Sequence, residues 1–453
     1  MNLDLECLEW INTNKSARYI KTGKKSKKSK DTSNSVYLLQ ITPSRLDKTK
    51  LACLTSHQIV NIYDQDKLKL ISQFKGVDES STSVLTEIGF YKQNDDMIFG
   101  CSDNGTLKCW DLRLNTTNEN FKESLIFKED REFLSADINS IDNYFAVGTN
   151  KNIDDALVYI FDIRMNEKYL HKFAESHSND VSQVKFDPKR ANKFCSGSLD
   201  GLVCLYDLEQ QPEEITKIEN EENDESSEED DSDGEEDPDL MEQVFNTDSS
   251  VQKIGYISST CTEVMDQLFA ITYTNDLFVW DLNSHDLLFK HQTKNKNVEN
   301  AESLNDEDEQ EEDYFFDCFY MKPNLMTICR GDHNGNFKLL NGDNVIYDSL
   351  VDNRNENVSK RNHRDVIRSS YWNGENFYTA GEDGFLFKWK IFDKKSRPVD
   401  LDETKESKKR DLVDKIESDD TTDRKDKAKL NKKEYFNKSK NKSFYSKNKR
   451  NPK

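Results

Sequence analysis

One group of side chains in this sequence has the residue types of a nucleophilic catalytic site. His177, Ser196 and Asp200 supply an imidazole, a hydroxyl and a carboxylate, and Cys195 adds a thiol beside the serine. A histidine between an acid and a hydroxyl or thiol can activate that group as a nucleophile. Cys195 and Ser196 are neighbours on a predicted strand, so their side chains point to opposite faces. If Ser196 faces the imidazole, Cys195 faces away, which favours a structural hydrogen-bond network over a cysteine nucleophile.

A second group, nearer the C-terminal end, repeats these residue types. It consists of His363, Thr379 and Asp383, with Trp389 as an additional indole donor. An indole donates, a threonine hydroxyl donates and accepts, and an imidazole bridges a hydroxyl to a carboxylate. The chain contains no GxSxG, HExxH, P-loop or GxGxxG motif. We therefore expect no enzyme activity, no cofactor and no metal site.

A repeated β-hairpin is the element that must position these side chains. The segment 377–390, FYTAGEDGFLFKWK, predicts two short strands joined by a tight turn. Seven versions occur, and each ends in a large apolar residue followed by a polar one. These pairs are Tyr63-Asp64, Trp110-Asp111, Phe161-Asp162, Tyr206-Asp207, Trp280-Asp281, Leu340-Asn341 and Trp389-Lys390. Their spacing is 47, 51, 45, 74, 60 and 49 residues, close to the length of a four-stranded propeller blade.

Acidic insertions account for the two long intervals. Removing residues 213–239 and 299–313, which are 27 and 15 residues long, brings both intervals back to the common length. A glycine-containing turn also lies at a constant distance before four of the pairs. It reads Asn104-Gly105, Asp200-Gly201, Asn334-Gly335 and Asp383-Gly384, and such pairs suit tight hairpins. A fixed spacing at a fixed period favours a seven-bladed, all-β propeller over a sandwich of unrelated hairpins.

Several of these segments resemble WD repeats. The resemblance is carried by SGSLDGLVCLYDL at 196–208, CSDNGTLKCWDLR at 101–113 and GEDGFLFKWK at 381–390. A narrower resemblance to the WD repeat-containing protein 89 family is carried by DDALV at 154–158, FDIRMN at 161–166, SHSNDV at 176–181 and GED at 381–383. The resemblance implies one seven-bladed WD-repeat β-propeller over about residues 36–392.

The same resemblance implies a structural role for the two side-chain groups. WD repeats hold a His–Ser/Thr–Asp–Trp tetrad in each complete blade. The matching residues in blade seven are His363, Thr379, Asp383 and Trp389; in blade four they are His177, Ser196 and Asp200, with Tyr206 in the tryptophan position. Blade two has Gly100 in place of the hydroxyl, and blade six has Arg330 and Leu340. We expect these weakened blades to rely on packing.

Composition favours an intracellular protein that does not cross a membrane. The 453 residues carry a formal charge of −22, and the nine cysteines form no CxxC pair. We interpret the cysteines as reduced thiols. The N-terminal sequence MNLDLECLEW has acids where a signal peptide needs bases, and no run reaches the ~20 apolar residues of a membrane helix. Cytoplasm and nucleus both remain open.

Three regions follow from this pattern. Residues 1–35 form an N-terminal segment with a basic run at 15–30, residues 36–392 form the propeller, and residues 393–453 form a basic tail that we expect to be disordered. A strand from the N-terminal segment should complete the last blade, so that no long edge stays open. Both the alternating start of the chain and ARYIK at 17–21 are candidates for this strand.

The charged segments suggest partners. The insertions 213–239 and 299–313 contribute −15 and −9, which predicts disorder. Ser226, Ser227 and Ser232 each have an acid three residues later, so they are candidate phosphorylation sites. Lysines interleaved with Tyr and Phe in the tail would suit contact with RNA. Solvated, inert disorder is the alternative for all of these segments.

Two functions are compatible with this sequence. The first is a non-catalytic WD-repeat scaffold that binds other proteins. The alternative is an acidic chaperone in the nucleus that binds basic clients, histones or ribosomal proteins, through the acidic insertions.

Overall fold

Four-stranded antiparallel sheets repeat seven times around a central channel. The computed structural model describes residues 3–13, 35–77, 82–114, 123–153, 155–165, 168–209, 240–257, 267–291, 313–322, 325–352 and 362–393. The predicted seven-bladed all-β propeller is therefore confirmed. The acidic segment 213–239, nearly all of 299–313 and the basic tail lie outside the described residues.

The blades follow one another along the chain. Blade one contains β2 (Leu38–Pro43), β3 (Lys50–Thr55), β4 (Ile59–Asp64) and β5 (Leu70–Lys75). Blade two contains β6 (Leu85–Phe90), β7 (Met97–Ser102), β8 (Thr106–Asp111) and β9 (Glu123–Lys128). Blade three contains β10 (Phe133–Ile138), β11 (Tyr144–Asn152), β12 (Asp155–Asp162) and β13 (Tyr169–His177). Blade four contains β14 (Gln183–Phe186), β15 (Lys193–Gly197), β16 (Leu202–Asp207) and β17 (Met241–Asn246).

The remaining blades have the same construction. Blade five contains β18 (Val251–Ile257), β19 (Gln267–Thr272), β20 (Leu277–Asp281) and β21 (Leu287–His291). Blade six contains β22 (Tyr314–Lys322), β23 (Leu325–Gly331), β24 (Phe337–Asn341) and β25 (Asn344–Asp348), and a one-turn helix, α1 (Ser349–Asp352), follows it. Blade seven contains β26 (Ile367–Trp372), β27 (Asn376–Gly381), β28 (Phe385–Asp393) and, from the other end of the chain, β1 (Leu3–Asn12).

The strand β1 closes the ring as the outer strand of blade seven. It pairs antiparallel with β28, from Leu3 opposite Asp393 to Asn12 opposite Phe385, with one register shift along the way. Beyond β1, Thr13 is buried and donates from both its backbone N–H and its hydroxyl to the carbonyl of Gly384. Of the two candidate segments for this strand, the start of the chain occupies the edge, and residues 17–21 lie outside the described residues.

The two sides of the propeller carry different connections. We call the strands of each blade a to d from the channel outward. One side, the tetrad face, carries the b–c turns and the connections between blades, which bond to each other; Glu382 N donates to Val366 O at 2.9 Å, for example. The other side, the loop face, carries the a–b and c–d loops, and there Gln65 N donates to Thr49 O at 2.7 Å.

Burial explains why the strands read as nearly continuous apolar runs. Every residue of β19 and of β27 is buried, because neighbouring blades cover both faces of each sheet. Tyr206 and Phe194 of blade four stack with ring centroids 4.4 Å apart, and they share one cluster with Val158 of blade three. The outer strand β21 has no fully buried residue. The core thus lies between blades rather than within any one of them.

Glycines in the b–c turns have the left-handed conformation that their sequence context predicts. The four glycines of the Asn-Gly and Asp-Gly turns have φ values between +72° and +89°. Gln58 and Asn275 take the equivalent place in blades one and five with φ of 61° and 59°. Those turns lack a glycine, so the sequence pattern did not reveal them.

We expect Gly105→Ala to destabilise the protein for two separate reasons. At φ +72°, the backbone conformation costs a residue with a Cβ ~1–2 kcal/mol. An added Cβ would also lie 2.2 Å from the carbonyl oxygen of Glu129 and 2.4 Å from that of Arg131, in the connection to blade three. The midpoint of thermal unfolding should therefore fall clearly below that of the parent protein.

Gly342→Ala is the matched control for this prediction. Gly342 has φ +58°, and a Cβ there would meet nothing within 4 Å. This variant should show the backbone strain without the collision. Equal melting of the two variants would show that the Gly105 turn does not pack tightly on blade three.

Candidate functional site

The four tetrad residues of blade seven form one chain of hydrogen bonds. The imidazole Nδ1 of His363 lies 3.0 Å from Asp383 Oδ2, and its Nε2 lies 2.8 Å from the hydroxyl of Thr379. The indole Nε1 of Trp389 donates to the same hydroxyl at 2.8 Å. Donors and acceptors balance if Nδ1–H donates to the carboxylate and Nε2 accepts from Thr379. This network joins the b–c turn to the connection that enters the blade.

The Asp383 carboxylate is the anchor of that turn. It also accepts from the backbone N–H groups of Arg364 and Phe385, each at 3.0 Å. The side chain of His363 is fully buried and that of Asp383 is 5% exposed. These groups are saturated by one another and by backbone N–H groups of the turn and the connection. Their role in structure rather than in catalysis stays a prediction.

Blade four has the same network with a phenol in place of the indole. His177 Nδ1 lies 3.1 Å from Asp200 Oδ2, and its Nε2 lies 2.6 Å from Ser196 Oγ. The Tyr206 hydroxyl reaches Ser196 Oγ at 3.2 Å. Burial opposes ionisation of Asp200, but hydrogen bonds from His177 and two backbone N–H groups outweigh it and lower the pKa of this carboxyl. The structure thus brings all four side chains together.

Cys195 lies away from this network. Its side chain is fully buried in the cluster between blades four and five, and its sulfur lies 3.6 Å from the backbone oxygen of Lys185. Burial raises the pKa of the Cys195 thiol to about 12. A protonated thiol on the opposite side of the strand from His177 cannot act as the nucleophile of a His–Asp pair.

Blades two and six lack a complete tetrad and use other contacts. The indole of Trp110 packs against Gly100, where an added Cβ would lie 3.2 Å from the ring. Asn104 accepts from the hydroxyls of Ser102 and Thr106 within its own turn. In blade six, Arg330 pairs with Asp313 at 3.0 Å. Packing and local bonds therefore replace the network there.

The central channel is a large concave site with a volume of about 1490 Å³. A belt of inter-blade hydrogen bonds lines it. In blades one to four, each a strand offers a side chain to a backbone N–H of the next: Gln40 to Ile88 at 3.0 Å, Glu87 to Ala136 at 3.1 Å, Asp137 to Phe186 at 2.9 Å and Gln183 to Ile254 at 2.8 Å.

The belt continues through the remaining blades to its starting point. Lys253 donates to Phe316 O at 2.8 Å, Ser370 donates to Asp317 Oδ2 at 2.5 Å, and Ile41 N donates to Ser369 Oγ at 3.1 Å. Every blade is thus tied to both neighbours at the channel. Such bonds fix the relative position of the blades, because a displaced blade would leave a backbone N–H unpaired near the core.

Four charged side chains of blades two to four form ion pairs between blades in the wall of the channel. Lys185 pairs with Glu87, and Lys92 pairs with Asp137 at 2.8 Å. Burial favours the neutral amine of Lys185, but Glu87 and Asp137 outweigh it and raise the pKa of this lysine. Burial opposes ionisation of Asp137, but the two lysines keep the pKa of its carboxyl below the usual value. Burial prevails for the other two groups, raising the pKa of Glu87 and lowering that of Lys92. Each pair therefore joins one group whose charged form is favoured to one whose neutral form is favoured.

Sequence reasoning missed this belt and the channel cluster. The sequence does mark the belt, because a polar residue recurs in the apolar a strands at about one blade period once the acidic insertions are removed. These residues are Gln40, Glu87, Asp137, Gln183, Lys253, Asp317 and Ser369. The candidate phosphorylation sites Ser226, Ser227 and Ser232 lie outside the described residues. No group of three or more metal-binding side chains occurs within the described part of the chain.

Two further observations concern general properties of the described chain. None of the eight described cysteines forms a disulfide, and seven of them are buried. No helix in the described ranges has the length and apolar character needed to span a bilayer.

Comparisons with known proteins agree with this architecture. The family model "WD domain, G-beta repeat" matches residues 167–207, which include most of blade four. WD repeat-containing protein 89 homolog of Dictyostelium discoideum is 27% identical over 356 residues, covering 78% of this chain and 81% of the relative. WD repeat-containing protein GTS1 of Arabidopsis thaliana is 26% identical over 370 residues, with the same coverage of 78% and 81%. The chain is thus a seven-bladed β-propeller with one segment that matches the WD-repeat model, and it is similar to WD repeat-containing protein 89 homolog.

Proposed function

We propose that this protein is a non-catalytic scaffold that binds basic segments of partner proteins on its tetrad face. WD-repeat propellers generally bind other proteins, and a rigid ring presents its loops on two faces. The observation that carries the proposal is the difference in charge between those faces.

Acidic side chains outnumber basic ones on the tetrad face. Apart from the tetrad aspartates, the acids in its turns and connections are Asp103, Glu129, Asp130, Glu132, Asp155, Glu175, Asp180, Asp248, Asp276, Asp313, Asp332, Asp365 and Glu382. The bases are Lys75, Lys128, Arg131, Lys151, Arg330, Lys338, Arg364 and Arg368. Three of these bases are paired, Arg330 and Lys338 with Asp313 and Arg368 with Glu382, so most of the acids remain without a basic partner among the described residues. Summed over one face, such an excess attracts cationic partners and speeds their association.

The loop face has a more even balance, and many of its charges are paired. Each of the following basic side chains lies within 3.1 Å of a carboxylate: Arg113 with Asp111, Arg164 with Asp162, Arg190 with Asp187, and Lys193 with Asp207 and Glu242. These ion pairs neutralise the face locally. It offers a cationic partner less attraction than the tetrad face does.

The acids above blades three and four are the best placed to meet a partner. Asp130, Glu132 and Glu175 are exposed, and their side chains make no ion pair with another described residue. The hairpin of β11 and β12 extends beside them, and Ile153 at its tip is 88% exposed with φ of 57°. A β-branched residue in this conformation is rare, which supports a binding role for the tip. Acids around an apolar tip suit a basic segment that also carries an apolar side chain.

The finer proposal is that the clients are histones or ribosomal proteins in the nucleus. The segments 213–239 and 299–313 connect β16 to β17 and β21 to β22, and they add to the negative charge of the chain. Polyanionic segments attract basic clients and compete with nucleic acid for them. The acidic segments would supplement the tetrad face in this role.

The test is a comparison of two charge-neutralised variants of the full chain. One carries Asp130→Asn, Glu132→Gln and Glu175→Gln on the tetrad face. The other carries Asp286→Asn, Asp343→Asn and Glu375→Gln on the loop face, so both change the net charge equally. Binding of core histones and of purified basic ribosomal proteins is measured by fluorescence anisotropy at several salt concentrations.

We expect the tetrad-face variant to bind these proteins about tenfold more weakly at low salt, since three screened contacts of ~0.5 kcal/mol each are removed. Its affinity should also fall less steeply with salt than that of the parent. The loop-face variant should bind like the parent protein. An equal loss of affinity in both variants would show that binding depends only on net charge, and it would refute a site on the tetrad face.

A further inference from the structure

The mouth of the channel on the loop face is bordered by two cations without a described partner. Arg45 and Lys48, in the a–b loop of blade one, are exposed and line the channel. No acceptor among the described residues lies within hydrogen-bond distance of either charged group. Elsewhere on this face, exposed cations such as Arg113 and Arg164 are paired with aspartates.

The loop that carries these cations is rigid because neighbouring carboxylates accept hydrogen bonds from its backbone. The buried Asp95 accepts from the backbone N–H groups of Arg45, Leu46 and Asp47 at 2.9, 3.0 and 2.6 Å. Asp47 in turn accepts from the backbone and hydroxyl of Thr49 at 2.9 and 2.8 Å. Both carboxylates accept from backbone N–H groups or hydroxyls, so neither neutralises a cationic side chain of the loop. A preorganised cationic loop loses little entropy when it binds an anion.

Aromatic side chains form the adjoining wall of the same mouth. Tyr371 and Trp372 of blade seven and Phe319 of blade six are partly exposed and line the channel. Burial raises the pKa of the Tyr371 phenol, and the positive charge of Arg45 partly offsets this effect, which places the two side chains near each other. The mouth therefore combines cations and apolar surface.

This combination fits an acidic peptide with apolar side chains better than a nucleic acid. The rings of Phe319 and Trp372 stack on each other at 14°, with centroids 5.7 Å apart, so one face of each is already covered. Base stacking needs a free ring face, whereas an aliphatic side chain packs against ring edges equally well.

We propose that the acidic segment 213–239 of this same chain binds at this mouth, with its carboxylates on Arg45 and Lys48. The segment leaves the propeller after Glu209 and re-enters at Leu240, both on the loop face. About fifteen extended residues reach ~50 Å. The c–d edge of blade four lies ~15 Å from its a strand, which leaves ~35 Å of reach across the channel to blade one. Its sequence begins EEITKIENEE, which sets isoleucines among acids. The inference concerns the loop face and does not depend on the proposed function.

The test is zero-length cross-linking of the full chain with a carbodiimide, which joins carboxylates to amines in contact. Products are mapped by mass spectrometry in a mixture of 15N-labelled and unlabelled protein, so that links within and between chains are distinguished. Lys67 is the internal control, because it is exposed in the c–d loop of the same blade on the same face. Arg45→Glu is compared with Lys69→Glu, which makes the same charge change away from the mouth.

We expect links from acids of 213–239 to Lys48 within one chain, at a yield well above that for Lys67. Arg45→Glu should lower the Lys48 yield about fivefold, the ratio that corresponds to ~1 kcal/mol for an exposed ion pair, and Lys69→Glu should not. Links mainly between chains would overturn the proposal, and so would links mainly to lysines of the tail. Equal yields at Lys48 and Lys67, or no link at either, would overturn it as well.

Discussion

Asp383→Ala is expected to lower the free energy of unfolding by about 3 kcal/mol, since each unpaired buried donor costs about 1–3 kcal/mol. The substitution removes the carboxylate that accepts from His363 Nδ1 and from two backbone N–H groups. The buried imidazole cannot turn to water. Because blade seven closes the ring, a loosened turn should lower the melting temperature of the whole propeller.

Two further variants make this result specific. Asp383→Asn keeps an acceptor oxygen in the same place, so it should lose less stability than the alanine variant. Asp130→Ala removes an exposed carboxylate of the same face and should stay within about ±0.5 kcal/mol of the parent. If Asp383→Ala melts like Asp130→Ala, the tetrad does not support the fold, and a functional role for His363, Thr379 and Trp389 must be reconsidered.

Asp137→Ala should also lower the free energy of unfolding by about 3 kcal/mol, the lower end of the loss when one partner of a buried ion pair is removed. The carboxylate accepts from Lys92 Nζ at 2.8 Å and from Phe186 N at 2.9 Å. Its side chain is 9% exposed, while that of Lys92 is 24% exposed. Because the Lys92 side chain is partly hydrated, the loss of stability should stay at this lower end. Calorimetry of the variant and the parent protein measures the difference in the free energy of unfolding.

A second substitution separates the charge from the packing in this prediction. Asp137→Ala combined with Lys92→Met leaves no unpaired ammonium group in the wall, so the double variant should be more stable than Asp137→Ala alone. The stability that the double variant still lacks relative to the parent protein measures the contribution of the hydrogen bond from Phe186 N. A double variant no more stable than the single one would show that Lys92 is not held by Asp137.

The regular features of this fold were predictable because each recurs along the chain. Seven apolar–polar pairs at a common interval indicated seven blades, and these pairs lie at the ends of the c strands in six of them. Asp-Gly and Asn-Gly turns were recognisable because a glycine with positive φ is needed where the next connection packs against the turn. The spacing from His363 to Trp389 could be matched to a tetrad for the same reason.

Features that depend on one copy of the repeat, or on closure of the ring, were not predictable. The belt around the channel uses an amide, a carboxylate, an ammonium group or a hydroxyl in different blades, so no single residue type marks it. Arg45 gains its position from backbone bonds to Asp95 in the next blade, a contact across 50 positions of sequence. Two segments of the N-terminal region had strand-like character, and only pairing with β28 distinguishes them.

The pairing of β1 with β28 sets the order of events when the chain is made. The ribosome synthesises β1 before the other described strands, and its partner β28 follows more than 370 residues later, an interval on the order of 20–80 s at typical elongation rates. During that time, blades one to six can form in sequence from local hairpins, while β1 has no partner strand. The ring is completed only when the earliest strand returns to the last one. Pairing of β1 with β28 is therefore a long-range step that follows the local hairpins of blades one to six.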